Sequence, residues 1–460
     1  MILKNYDVIV LGAGPGGYVA AIKSAQSGLK TAIIEKEAIG GVCLNWGCIP
    51  TKSMLKSAKV YQQFLHAKDY GIQIKNIDDI KPDWPQIIKR KDRIVRRLTG
   101  GVNMLLKKNQ VDIYQGYGEV INANEVRVND EVLKMKNLII STGASPFMPP
   151  IDGLKESYDQ GFILTSKELL NIDAIPKKLV IIGGGVIGLE FATIFNSFGS
   201  EVTILEREPQ ILPTIDHEIR ESMMKIIKKN QIKVFTNANV TRLKDGQIIY
   251  QYDGNEAQLN ADKALLSVGM KANLKGFESL NLKVNKGFVD VNQYLQTSIP
   301  NVYAIGDVNG KMMLAHVASH QGIQAIHHIL GKNDLIDYKK IPSAIYSFPE
   351  IAQIGYTEEE AKTAGIDYKT SVFPIQANGK ALSSNESDGF IKLITSKQFN
   401  EVIGVHILSD SASDIISEAV MVMKLEGTAE DIAHAIHPHP TISEIFNEAA
   451  WGIVDKPIHI

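Results

Sequence analysis

Short, unbroken apolar runs that each end in a glycine cluster set the rhythm of this chain, and the rhythm occurs twice. Asp7-Val8-Ile9-Val10-Leu11 predicts a buried strand, Gly12-Ala13-Gly14-Pro15-Gly16-Gly17 a turn into a helix over 18–27, and Thr31 to Glu35 the next strand. The pattern returns 171 positions later, with Leu179-Val180-Ile181-Ile182 as strand, Gly183 to Gly188 as turn, Leu189 to Phe198 as helix and Glu201 to Glu206 as second strand. In each copy an acid, Glu35 or Glu206, stands 23 positions after the first glycine. Further on, Ile299 to Asp307 predicts a strand ending at a carboxylate, and 315–330 a helix. From about 342 the texture changes to mixed β segments, such as 389–395 and 402–408, followed by helices at 411–425 and 442–452. This predicts a separate α+β unit.

One glycine-rich turn between strand and helix is a weak signal, because any tight turn can produce it. Two copies with an acid at matched spacing are a strong one. Gly12, Gly14 and Gly17, and likewise Gly183, Gly185 and Gly188, permit the turn and a close backbone approach. The helix N-terminus then faces a pyrophosphate, while Glu35 or Glu206 accepts from ribose hydroxyls. The expected architecture is therefore α/β, with two Rossmann-like dinucleotide-binding domains and a C-terminal α+β domain. Domain spans of 1–150, 151–274, 275–341 and 342–460 follow from these shifts in pattern.

Bulk properties narrow the picture only a little. The length of 460 residues suits about three domains of typical size. With 49 basic against 51 acidic residues, overall charge does not favour nucleic acid or an anionic membrane. No apolar run approaches the ~18 residues of a membrane span, and the glycine cluster follows the N-terminus too soon for a signal peptide, so a cytoplasmic location is expected. The basic stretch Lys89 to Arg97 reads as a solvated helix face, with an acidic partner's docking patch as the alternative.

The chain has two cysteines, Cys43 and Cys48, inside Gly40-Gly41-Val42-Cys43-Leu44-Asn45-Trp46-Gly47-Cys48-Ile49-Pro50-Thr51-Lys52. Buried packing is the ordinary role of a free cysteine, and zinc would need further ligands that no nearby cysteine or histidine supplies. A pair that carries electrons is the better reading. In a regular helix the two Cα atoms would lie roughly 8.6 Å apart, too far for a bridge, so Gly47 and the glycines at 40 and 41 predict a distorted helix entry.

The other chemically dense segment is His434-Ala435-Ile436-His437-Pro438-His439-Pro440-Thr441-Ile442-Ser443-Glu444. The prolines predict an extended loop carrying His437 and His439. No metal site is expected there, because ligands are too few. Thr441 and Glu444 have the spacing of a capping box, yet Glu444 could instead orient a histidine; a carboxylate is expected to do one at a time. A carboxylate-held imidazole suits proton removal from a thiol. His316 and His320 lack the glutamate of a zinc-binding helix, so core or cofactor contact is expected of them.

With these residues laid out, the chain resembles the FAD-dependent pyridine nucleotide-disulfide oxidoreductases from Tyr6 to Ile453, with the Cys43 to Lys52 and His439 to Glu444 segments carrying the most specific likeness. The resemblance implies that the first fingerprint binds FAD, with further contacts from Gly116, Ser141, Thr142, Gly143, Asp307 and the run Met313, Leu314, Ala315 and His316. It implies that the second fingerprint, with Glu206, binds NAD, bordered by Val240 and Gly269. Lys52 would lie near the flavin and pair with Glu190. Cys43 would exchange with substrate thiols, and Cys48 would face the flavin. The C-terminal domain resembles the family's dimerisation domain, delivering His439 and Glu444 to the other subunit of a homodimer. The implied reaction oxidises a dihydrolipoamide on a lipoyl domain and reduces NAD, within a 2-oxo acid dehydrogenase complex or the glycine cleavage system.

Departures from the family pattern are Met270-Lys271-Ala272 before Asn273, where an arginine and a proline are more usual, and milder ones at Trp46 and Pro438. Relatives of the glutathione reductase type usually have basic residues where Glu206 stands. Mercuric reductase and the large thioredoxin reductases need a C-terminal redox pair that is not expected here. A mainly structural docking subunit is the alternative from another class, but it would need none of the six residues Cys43, Cys48, Lys52, Glu190, His439 and Glu444.

Overall fold

The structure, a computed structural model, describes residues 4–460. Strands β1 (Lys4–Leu11), β2 (Thr31–Glu35), β3 (Asp112–Gln115), β4 (Gly118–Asn122), β5 (Glu125–Val128) and β6 (Glu131–Ile140) form the first sheet in the order β3-β2-β1-β6-β5-β4. Strand 302–304 joins it by pairing with the end of β6. β1 runs parallel to both β2 and β6, with Val10 opposite Ile33 and Ile139. Five parallel strands thus converge at the end of β1, where helix α1 (Pro15–Gln26) begins. Val8, Ile9 and Val10 are buried on both faces, as a covered parallel sheet requires.

The second unit repeats this plan. Its parallel strands run in the order 233–235, 201–205, 178–182, 263–266, 163–164, and the helix Val186–Ser197 follows the central one. The outermost strand comes from later in the chain in the first unit and from earlier in the second, so the likeness is one of geometry more than of continuous sequence. The last unit is an antiparallel sheet in the order 343–345, 350–355, 402–409, 390–396, 368–374, packed on helices 412–424 and 444–454.

Between these sheets run α2 (Gly41–Trp46), α3 (Cys48–Leu65) and the long α4 (Trp84–Lys108). The expected solvated face on α4 is interrupted. Lys91 is buried, its ammonium donating to the carbonyl of Leu170 and to Asn171 Oδ1, while Lys89, Arg93, Arg96 and Arg97 are exposed. Arg90 donates to the Ser53 carbonyl and hydroxyl, tying α4 to α3. Among the described residues no helix is long and apolar enough to cross a membrane.

Candidate active site

The two glycine turns are built alike, atom for atom. Gly12 has φ +102°, and a Cβ on it would fall 2.4 Å from the Ser141 carbonyl oxygen; Gly183 has φ +108° and the same conflict at 2.5 Å with Ser267. A Cβ on Gly17 would meet the Gly12 oxygen at 2.0 Å, and one on Gly188 the Gly183 oxygen at 2.2 Å. The middle glycines differ in kind: nothing of the protein lies within 4 Å of where a Cβ would stand on Gly14 or Gly185. That open space in front of a helix N-terminus fits the pyrophosphate of a dinucleotide.

Both acids grip their own turns. Glu35 accepts the N–H of Ala13 at 2.7 Å and of Glu37 at 2.7 Å, and Glu206 accepts those of Gly184 at 2.6 Å and Glu208 at 2.8 Å. A carboxylate has more lone-pair sites than these bonds use, so each can still accept from a ribose hydroxyl. Arg207 turns to Glu208. Gly116 donates its N–H to the Glu35 carbonyl at the end of β2.

The Ser141 hydroxyl donates to the Leu11 and Gly12 carbonyls, and Ser267 repeats the bond to Ile182 and Gly183. Ser267 was not among the residues singled out by the sequence. The signal lay in the matched runs Ile139-Ile140-Ser141-Thr142-Gly143 and Leu265-Leu266-Ser267-Val268-Gly269, a third component of the repeat. Gly143 and Gly269 both face open space. Val240 points into the core of the second unit, where its side chain serves packing. Asn273 bonds Thr142 and Gly143 through its backbone and side chain, so the unusual residues before it leave this connection intact.

Asp307 sits on a tight turn after strand 302–304, and among the described residues no side chain bonds its carboxyl. Burial pushes it up to about 6. A half-buried acid without a protein partner fits a hydroxyl-bearing ligand such as the ribityl chain of FAD. Leu314 caps the helix Ala315–Ile329, with Met313 exposed just before it. His316 and His320 are exposed, which overturns the core reading; His316 meets the Pro342 carbonyl through Nε2 at 2.9 Å.

The helix break between the cysteines is present. α2 ends at Trp46, Gly47 leaves helical geometry, and α3 starts at Cys48. The entry is packed against the first nucleotide turn, since a Cβ on Gly41 would lie 2.6 Å from Gly14 Cα. Both cysteines are free thiols that act on each other. The neighbouring Cys48 and burial raise Cys43, whereas Cys48, with the Cys43 thiol against it and the Lys52 ammonium near, drops to about 7. Cys48 is therefore the thiol that ionises first. Lys52 in turn donates to both oxygens of the buried Glu190, at 2.8 and 2.9 Å.

Among the described residues no hydrogen bond links His439 to Cys43 or Cys48 of its own chain. His439 is 78% exposed and bonds Glu444 Oε1 through Nδ1 at 2.8 Å. Glu444 Oε2 simultaneously accepts the Thr441 N–H at 2.8 Å. The expected either-or is thus corrected: two oxygens serve two partners. Nor is there a full capping box, because the helix starts at Glu444 with Ser443 as its cap, and the Thr441 hydroxyl donates to Pro438. His437 is held separately by Glu418 at 2.7 Å, whose bond raises its affinity for a proton. Glu418 lies on another helix and left no local trace in the sequence. No group of three or more potential metal ligands occurs among the described residues.

Comparison with known proteins agrees with this geometry. Residues 6–322 match the family model "Pyridine nucleotide-disulphide oxidoreductase", and residues 341–450 match that family's dimerisation domain. A protein of Acholeplasma laidlawii named dihydrolipoyl dehydrogenase is 54% identical over 327 residues, covering 71% of this chain and 97% of that protein. One of the same name from Bacillus subtilis is 41% identical over 477 residues, covering 99% of each. Among solved structures, a Cu(II) complex of the HOCl-induced flavoprotein disulfide reductase RclA from Escherichia coli aligns with a TM-score of 0.88 at 28% identity, over 98% of this chain and 100% of that one. With matched nucleotide turns, a paired-cysteine helix break and both family models in sequence, the chain belongs to the pyridine nucleotide-disulphide oxidoreductases.

Proposed function

We propose that this chain is a dihydrolipoyl dehydrogenase, oxidising a protein-bound dihydrolipoamide to lipoamide while NAD⁺ is reduced to NADH. The observation that carries this reading is the cysteine pair split by Gly47, packed on the first nucleotide turn and backed by Lys52 and Glu190. In the oxidised enzyme Cys43 and Cys48 are joined. A substrate thiolate attacks the Cys43 sulfur, forming a mixed disulfide and expelling Cys48 as thiolate. The low proton affinity of Cys48 suits a leaving group. The second substrate thiol then displaces Cys43, closing lipoamide and leaving the enzyme with a thiol and a thiolate. FAD, when bound, supplies the chemistry that turns the electron pair of a dithiol into a hydride for NAD⁺. Glu35, Ser141, Asp307 and the Gly12–Gly17 turn would hold FAD, and Glu206 with the Gly183–Gly188 turn would hold NAD.

His439 of the partner subunit would take the substrate proton at Nε2, since Nδ1 is engaged with Glu444. The match to the family's dimerisation domain and the outward loop support a homodimer. A lipoyl domain, with the core subunit of a 2-oxo acid dehydrogenase complex, is the partner this activity needs, and the cytoplasm the place for it. The four domain spans 1–150, 151–274, 275–341 and 342–460 are proposed as the division of labour.

The test is direct. Purified protein should be yellow, reduce NAD⁺ with free dihydrolipoamide, and develop a long-wavelength thiolate-to-flavin band on dithiol addition. A yellow protein that reduces glutathione disulfide with NADPH but ignores dihydrolipoamide would overturn the assignment.

Coenzyme choice has its own expected result. A 2′-phosphate at Glu206 would meet a like charge, and Arg207 is occupied by Glu208. Glu206→Ala should shift the NADP-to-NAD ratio of kcat/KM by about tenfold towards NADP, or ~1.4 kcal/mol. An unchanged ratio in steady-state kinetics would assign the choice to another residue.

A further inference from the structure

Lys52 is gripped from two directions. Its ammonium reaches both Glu190 oxygens, and it also lies 4.4 Å from the centroid of the Tyr346 ring. Tyr346 donates its backbone N–H to Glu190 Oε1 at 3.1 Å. One residue of the C-terminal unit therefore touches both members of an ion pair whose halves belong to α3 and to the helix Val186–Ser197. Lys52 stands four residues after Cys48 on α3, hence on the same face. With two directions of the ammonium taken by a carboxylate and an aromatic face, its freedom to swing away from the thiol is small.

We propose that Tyr346 is a positioning residue that keeps the Lys52 ammonium beside Cys48 during the dithiol chemistry. The idea rests on the dithiol reading but not on which dithiol is the substrate. An ammonium held there favours the Cys48 thiolate, the form that leaves in exchange and remains in the reduced enzyme. The charged and titratable groups around Cys48 are Cys43, Lys52 and Glu190; Tyr18 of α1 faces Cys43, and Glu350 faces Tyr346. Of these, Lys52 is the cation, so its placement decides the sign of the local field.

The test uses flavin-loaded Cys43→Ser enzyme, in which Cys48 is the single cysteine. Its ionisation is followed as the pH dependence of iodoacetamide alkylation, read by intact mass. Adding Tyr346→Leu should raise the midpoint and slow alkylation at pH 7 by about tenfold, corresponding to about one pH unit. Tyr346→Phe, which keeps the aromatic face, should stay with the parent, and Lys52→Met should mark full loss of the ammonium. Tyr346→Met gives the same reading if leucine lowers flavin content. The proposal is overturned if Lys52→Met shifts the midpoint and the Tyr346 variants do not, if phenylalanine shifts it as far as leucine, or if Lys52→Met leaves it unmoved. Absence of dihydrolipoamide turnover in unmodified enzyme would sink the substrate assignment alone, leaving this titration readable.

Discussion

Mixing a Cys43→Ser enzyme with a His439→Gln enzyme should restore activity that neither possesses alone. The serine variant has no exchange thiol. The glutamine variant keeps the thiols but lacks the imidazole proposed to accept the substrate proton, an expected loss of about 10²–10⁴-fold in kcat. Among the described residues of one chain His439 bonds only Glu444, and its ring stands in solvent. Ile436, three residues earlier on the same loop, is 99% exposed, an apolar side chain with nothing of its own chain to cover it. In the proposed homodimer such a loop would complete the partner's site across a two-fold interface, each subunit supplying what the other needs. After random subunit exchange half of the dimers carry one intact site, so roughly a quarter of unmodified activity should return under the symmetry of a two-site dimer. Subunit exchange would be checked by mass-tagging one variant. No recovery despite demonstrated exchange would mean that thiol and imidazole act within one chain.

The proton arithmetic supports the same loop. Burial would raise Glu444, but the Thr441 N–H and His439 hold it below the ordinary carboxylate range, so it stays ionised at neutral pH. An ionised Glu444 fixes the His439 tautomer with the proton on Nδ1 and the free lone pair on Nε2. The sequence contained the histidine, the acid and their spacing, but could not assign the acid a single role. That ambiguity had a physical source: helix start and histidine support both ask for one oxygen, and a carboxylate has two.

What was legible depended on range. The glycine turns, Glu35 and Glu206 are read from a few residues in a row, because strand, turn and helix there are dictated locally. The break at Gly47 followed from the reach of a disulfide against the pitch of a helix. Lys52 with Glu190 entered only through family resemblance, since nothing near either residue says that they meet. Lys392 was missed altogether. In Phe390-Ile391-Lys392-Leu393-Ile394 a two-residue alternation assigns the lysine to solvent, yet the strand is covered on both faces. The covering comes from residues near 216 and 358, far away in the chain.

That lysine carries the second large effect: Lys392→Met should destabilise the fold by about 3–5 kcal/mol, the usual result of removing one partner from a buried ion pair. Its side chain is 1% exposed, and Asp216, its carboxylate partner at 3.1 and 3.2 Å, is 0% exposed. Glu358 and Glu218 complete the cluster at its more exposed edge. Asp216 also caps the helix His217–Lys229, so the cluster bolts that helix of the second unit to the C-terminal sheet. Methionine fills the volume but leaves Asp216 ionised without a counterion. Lys392→Met with Asp216→Asn should therefore be more stable than Lys392→Met alone, even though it also weakens the cap. The acid limb has the same origin. Burial would raise Asp216, but His406 and Lys392 hold it below the ordinary range, and burial lowers His406. Groups with depressed values add stability above their unfolded pKa and lose it as pH falls through the folded one. The contribution of His406 should thus start to decline below about pH 6.5, and that of Asp216 below about pH 4. Denaturant midpoints of the unmodified protein and both variants between pH 3 and 8 check this. A double variant no more stable than Lys392→Met would show that an unpaired Asp216 is not what the buried lysine prevents.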